Sequence, residues 1–238
     1  ALEEITEFPQ LVGTRSVEVS NRAVELFDSI GVSSIRVEPE EAELAKLFTN
    51  SWRYIKFAAA NQFWMMANDF NVDFERVRVA ITTDYPRAAD MPGAGFAAGP
   101  CLFKDTMQLS AFTGNTFALG NAAVMVNEGL PLYLIERLED RFELAEMTVG
   151  ILGMAFKGDT DDNRSSLSYK LRKLLLFRAK EVLCSDPYVT DHRLVAEDRV
   201  LGESDLVIVA APHQAYRSLI CDQPLIDIWN IYGNGVLI

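Results

Sequence analysis

The run EEAELAKLFTNSWRYIKFAAANQFWMMAND, from Glu40 to Asp69, decides the fold. It follows Pro39 and holds neither glycine nor proline, so it reads as one helix to about Asn68. Proline suits the first helical turn, and Glu40, Glu41 and Glu43 complement the positive end of the helix dipole. Leu44, Leu47, Phe48, Ile55 and Phe63 supply apolar anchors at helical spacing, and Trp52, Trp64, Met65 and Met66 read as core. Lys46 and Asn50 are four apart and share a face, with Asn61 further along nearly the same line. Two readings stand for that polar line: a solvated stripe or a functional one.

Upstream, a short apolar run at Leu11 and Val12, a helix over Val17–Phe27, a turn at Gly31 and a strand to Val37 suggest the tail of an α/β domain. Two lone strands and one helix cannot bury a core. The chain begins at Ala1 in mid-pattern and without methionine, so further strands are expected before it. Downstream, Phe74–Thr83 reads as a shorter helix and DYPRAADMPGAGF (84–96) as an irregular loop. Gly93, Gly95 and Gly99 superficially suggest a phosphate cradle, but their spacing is not a dinucleotide fingerprint and no strand is expected before them. From Asp105 to about Asp140 the pattern is helical again, with Gly120 as a weak point and Pro131 as a potential kink. Residues 39–146 are therefore expected to be all-helical, of a kind that often makes a dimer interface.

At Met147 the periodicity changes. TVGILGMAF (148–156), EVLCSDPYV (181–189), SDLVIVAAP (204–212), PLIDIWN (224–230) and GVLI (235–238) are short apolar strands alternating with helices, the pattern of a parallel sheet covered on both faces. One of those helices is expected over Leu167–Phe177, capped by Ser165 or Ser166. The fold class is α/β: a helical central region, then a Rossmann-like parallel domain over 147–238, with a remnant of an N-terminal α/β domain over 1–38. Ligands of such sheets bind outside the carboxyl ends of the strands, here Phe156–Arg164, Asp186 and Ala210–His213. Lys157 and Arg164 suit a phosphate at that edge; pairing with Asp159, Asp161 or Asp162 is the competing use.

The stretch AAGPCLFKD (97–105) carries the chemistry. Cys101 sits between a Gly-Pro turn and a Lys-Asp pair, a place suited to a reactive thiol, whose thiolate is the nucleophile. The alternative is an inert buried cysteine.

Composition narrows the function classes. With 49% hydrophobic and 24% charged residues the chain is globular, and a net charge of −12 argues against a nucleic-acid partner while leaving room for a local cationic pocket. Three cysteines without metal-like spacing fit a reducing, cytoplasmic compartment, and two histidines make a histidine-built zinc site improbable. No apolar run reaches the roughly 20 residues a membrane span needs.

In this order and spacing AELAKLFTN with Asn61, AAGPCLFKD and GMAFKGDTDDNRSSLS resemble the UDP-glucose/GDP-mannose dehydrogenase family of NAD-dependent nucleotide-sugar dehydrogenases. The likeness covers nearly the whole chain but only the later part of the family's architecture. It implies a division into the tail of an NAD-binding domain (1–38), a central helical dimerisation domain (39–146) and a nucleotide-sugar-binding domain (147–238). Cys101 matches the family's catalytic thiol, Asp105 its nearby carboxylate, and Lys46 and Asn50 the pair that handles the substrate oxygen. Arg87 matches an arginine reaching the sugar nucleotide from the neighbouring subunit, and the loop around Gly93, Gly95 and Phe96 would wrap the sugar. Phe156 and Lys157 fall where the nucleotide is gripped, and Arg164 where the cofactor NAD is contacted. Ala98 stands in place of a usual glycine and Phe103 where proline or glutamine is common, which bears on the choice of sugar.

The resemblance implies oxidation of a primary alcohol on a UDP- or GDP-sugar to the carboxylate by a homodimer, with Cys101 trapping the aldehyde. Lys46 and Asn50 would stabilise oxyanions, and Asp105 would orient or deprotonate water. Two other readings stay open: a nucleotide-sugar-binding and dimerisation module without turnover, and a hydroxyacid-type dehydrogenase that uses no cysteine.

Overall fold

The computed structural model describes residues 2–238, with side chains from Ile5 onward. The chain divides into two compact units, one ending at Asn50 and the other beginning at Ser51.

In the first unit, helix α1 (Leu2–Glu7) precedes strand β1 (Gln10–Gly13), helix α2 (Val17–Ser29), strand β2 (Ser34–Val37) and the start of the long helix α3 (Pro39–Asp69). The strands pair in parallel with Leu11 opposite Ile35, as a strand–helix–strand crossover requires. Ser16 caps α2 by accepting the Val19 N–H, and Gly31 turns the chain at φ +76°. Helix α1 is not anticipated from the sequence, whose LEEITE run lacks a periodic apolar face.

The second unit contains the rest of α3, then α4 (Phe74–Thr82), α5 (Leu102–Phe112) and α6 (Ala118–Glu139). Strand β3 (Thr148–Leu152), α7 (Leu167–Leu175), β4 (Glu181–Ser185), α8 (Glu197–Glu203), β5 (Leu206–Val209) and β6 (Leu225–Asp227) follow. The four strands form one parallel sheet in the order β4-β3-β5-β6, with Ile151 between Cys184 and Ile208. Every residue of β3 and β5 is buried, which explains their unbroken apolar sequences. The α/β class is thus as expected.

Several local expectations need correction. The helical pattern from Asp105 to Asp140 is two helices, because Gly114 and Asn115 take left-handed conformations and end α5. Of the two caps expected for α7, Ser166 is the one used, accepting the Ser168 N–H, while Ser165 has φ +54°. GVLI is not a strand but a strap across the helices. Val236 N–H donates to Asp73 Oδ1 and Ile238 N–H to Asn68 Oδ1, both at 2.9 Å, while Trp64 Nε1 donates to the Val236 carbonyl at 2.8 Å.

Trp64 is fully buried, in a core that runs from Leu130, Leu134 and Leu138 of α6 to Val149 and Ile151 of β3. Trp52 and Met66, expected in the core, are 57% and 49% exposed, and Phe63 is exposed as well. At 100° per residue these three lie within about 60° of one another on the helix. Leu44 and Phe48, also exposed, precede Trp52 at four-residue spacing; of the apolar residues in this early part of α3, Leu47 is the buried one.

Candidate active site

The segment from Thr83 to Cys101 has no regular secondary structure. A buried asparagine gives it a fixed path. Asn61 Oδ1 accepts the Gly95 N–H at 2.9 Å while its Nδ2 donates to the Gly95 carbonyl at 3.0 Å and to Asn127 Oδ1 at 2.9 Å. Asn127 in turn donates to the Tyr54 carbonyl at 3.1 Å. One side-chain amide thus satisfies both backbone polar groups of Gly95, which would otherwise be buried without partners. The loop also passes close to its neighbours. A methyl group on Gly95 would lie 2.4 Å from the Trp229 ring and one on Gly99 2.6 Å from the Phe156 ring, and both residues have positive φ.

Phe96, Phe156 and Lys157 come together in this unit. They line a cavity of about 150 Å³ with Arg53, Leu102 and Trp229 among its other walls. Lys157 Nζ lies 5.7 Å from the centroid of the Phe156 ring, a cation beside an aromatic face. Arg53 was not among the residues singled out from sequence. It stands seven positions after Lys46, on nearly the same helical face, and the periodicity that selected Lys46 and Asn50 also points to it.

Cys101 is exposed, which removes the inert-core alternative. It is the residue before the first turn of α5, and its carbonyl accepts the Asp105 N–H at 2.9 Å. Asp105 is buried, with Lys104 Nζ 3.2 Å from its Oδ1. Arg164 donates bidentately to Asp162, from Nε at 2.9 Å and Nη2 at 2.7 Å, the competing use foreseen for it. That hydrogen bond raises the Arg164 pKa and lowers that of Asp162, and the charge of Cys101 adds to the effect on Arg164. Lys46 is exposed and Asn50 half-buried, one turn apart on the part of α3 that belongs to the first unit. Arg87 is exposed in the loop after α4. Among the described residues no cluster of His, Cys, Asp and Glu could hold a metal, and no helix is long and apolar enough to cross a membrane.

A parallel sheet whose edge loop meets a helix-borne loop around an aromatic, cation-bearing cavity, with an exposed cysteine next in sequence to the lining residue Leu102, has the build of a ligand-binding α/β enzyme. Residues 40–129 match the central domain of the UDP-glucose/GDP-mannose dehydrogenase family, and residues 150–234 its UDP binding domain. The chain belongs to that family. It is 31% identical over 225 residues to a UDP-N-acetyl-D-mannosamine dehydrogenase of Pyrococcus horikoshii, covering 91% of this chain and 53% of the relative. Among solved structures, a UDP-D-ManNAc dehydrogenase from the same organism superposes with a TM-score of 0.81 at 28% identity, over 92% of this chain and 53% of that one. A UDP-glucose dehydrogenase from Pyrobaculum islandicum gives 0.82 at 27% identity, over 95% and 56%. The chain spans about half the length of the curated relatives it matches.

Replacing Asn61 by alanine strands the Gly95 peptide groups in the interior. Asn61→Ala is expected to lower unfolding free energy by about 3 kcal/mol, from the usual cost of unsatisfied buried polar groups. Urea denaturation measures the loss.

Proposed function

We propose that this chain carries the substrate side of an NAD-dependent nucleotide-sugar dehydrogenase. In that reading residues 1–38 are the tail of the NAD-binding domain, 39–146 the helical dimerisation domain and 147–238 the nucleotide-sugar domain. The observation that carries the reading is the shared cavity: Phe156 and Lys157 from the sheet edge and Phe96 from the central loop line it with Leu102, the residue next to Cys101. An aromatic ring beside a lysine suits a flat base joined to phosphates. The sugar is then held by the loop of Gly93, Gly95 and Phe96, with Arg87 supplied to the neighbouring subunit's sugar nucleotide.

NAD would supply the oxidant, two molecules being needed because each accepts a single hydride. Of this chain's residues Arg164 is assigned to contact it, being an exposed cation on the loop after β3. The first oxidation turns the primary alcohol into an aldehyde. The Cys101 sulfur adds to its carbonyl carbon, giving a thiohemiacetal, and loss of a second hydride leaves a thioester. Water then cleaves the carbon–sulfur bond, releasing the carboxylate and restoring the thiol. Lys46 and Asn50 are assigned to the oxyanions formed on addition, as a charged and a neutral donor. Asp105 is assigned to the attacking water, which it orients or deprotonates. The relatives include dehydrogenases of UDP-N-acetyl-D-mannosamine and of UDP-glucose, so a UDP-sugar is preferred over a GDP-sugar. Three free cysteines accord with a cytoplasmic setting. The apolar stripe through Trp52, Phe63 and Met66 is assigned to the homodimer contact.

The module without turnover is the second reading, favoured for this chain alone because it spans about half of its relatives. Three outcomes are expected. A thermal-shift titration of this chain should show UDP raising the melting temperature, with NAD and UDP-glucose together yielding no NADH. In the complete enzyme, Cys101→Ala should abolish acid formation; full turnover to the carboxylate would instead favour the cysteine-independent reading. Trp52→Glu should convert the dimer to monomer in sedimentation velocity.

A further inference from the structure

His213 is fully buried just beyond the end of β5, and nothing in the chemistry above uses it. Its Nδ1 accepts the backbone N–H of Asp159 at 2.9 Å, so the ring's proton resides on Nε2, which donates to Asp186 Oδ2 at 3.0 Å. The ring is flanked by Tyr188 and Tyr216, with centroids 5.0 and 5.2 Å away. Asp186 does not need this histidine to be satisfied. Its Oδ2 already accepts the N–H groups of Met154 (2.6 Å) and Ala155 (2.9 Å), and its Oδ1 those of Tyr188 (2.8 Å) and Val189 (2.9 Å). Burial pushes the Asp186 carboxyl up, but the hydrogen bonds from His213 and these amides outweigh it and hold it at about 2.

The consequence falls on the loop after β3. Asp186 fixes its near end at Met154 and Ala155, and His213 fixes its far end at Asp159, a non-glycine residue held at φ +53°. Asp159 Oδ1 also accepts the Gln214 N–H at 2.8 Å, and a methyl on Gly158 would meet the Pro212 oxygen at 2.5 Å, so the loop is pressed against the His213 segment. Phe156, Lys157 and Gly158 lie between the two ties, and the first two line the cavity. We infer that His213 is a positioning residue: through the Asp159 amide it sets where Phe156 and Lys157 meet the nucleotide of the substrate. This rests on the nucleotide-sugar reading of the cavity.

The two ends of the imidazole can be removed separately. Asparagine places an acceptor near Nδ1 and keeps the Asp159 tie; glutamine places a donor near Nε2 and keeps only the Asp186 tie. By calorimetry on this chain, His213→Gln and His213→Ala should weaken UDP binding about tenfold, one hydrogen bond's worth, whereas His213→Asn should stay within about threefold of wild type. Amide exchange at Asp159 should accelerate in the glutamine and alanine variants alone, with exchange across Val149–Leu152 unchanged as the sign of an intact sheet. The reverse order, with glutamine tolerated and asparagine not, would overturn the inference by showing that His213 serves Asp186 only. Wild-type protein that fails to bind UDP while Asp159 exchange splits as expected would refute the nucleotide reading and leave the loop tie supported.

Discussion

The candidate site depends on a carboxamide fully buried within the long helix α3. Asn61 offers both a donor and an acceptor to the backbone of one residue of an irregular loop, and the loop can therefore lie in the interior without secondary structure of its own. A charged side chain could not do this, since it offers donors or acceptors but not both, and its burial would cost far more. With Gly95 fixed, Phe96 is delivered to the cavity and the chain is aimed at the turn before Cys101. The second tie, from Asn61 to Asn127, sets the loop's registry against α6 as well as α3.

The other wall is built by the same logic from the sheet. A parallel sheet ends in a row of loops whose backbone groups have lost their ladder partners, and a carboxylate is an efficient way to satisfy several at once. Asp186 does so for its own turn and for the start of the loop after β3. Both walls are thus loops whose polar atoms are satisfied by buried side chains, with Phe96 and Phe156 left to line the cavity.

Much of the fold was legible in the sequence because it rests on periodicity. The absence of breakers between Glu40 and Asp69 gave α3, and the unbroken apolar runs of β3 and β5 gave the parallel sheet. What periodicity cannot tell is which apolar face is turned inward: Trp52 and Trp64 lie on one helix with the same side chain, yet one is exposed and the other buried. GVLI read as a strand because its composition suits one, while its place is decided by hydrogen bonds to Asp73 and Asn68, more than 160 residues earlier. For the site, Phe96, Phe156 and Lys157 were anticipated and share a cavity. The work of Asn61, His213 and Asp186 was not visible, because it consists of contacts between distant loops, and neither spacing nor composition records those. Arg164 had two readings at the start, and the structure realises the pairing with Asp162.

The strap at the end of the chain ties the helices to the strands at Trp64, Asn68 and Asp73, and its Val236 and Ile238 are packed in the common interior. Helical and sheet portions that share a sealed seam of this kind lose their order in a single cooperative step, since neither can open without exposing the other's apolar face. Swinging of one portion against the other as a hinged pair would have to break these three hydrogen bonds and uncover Val236 and Ile238.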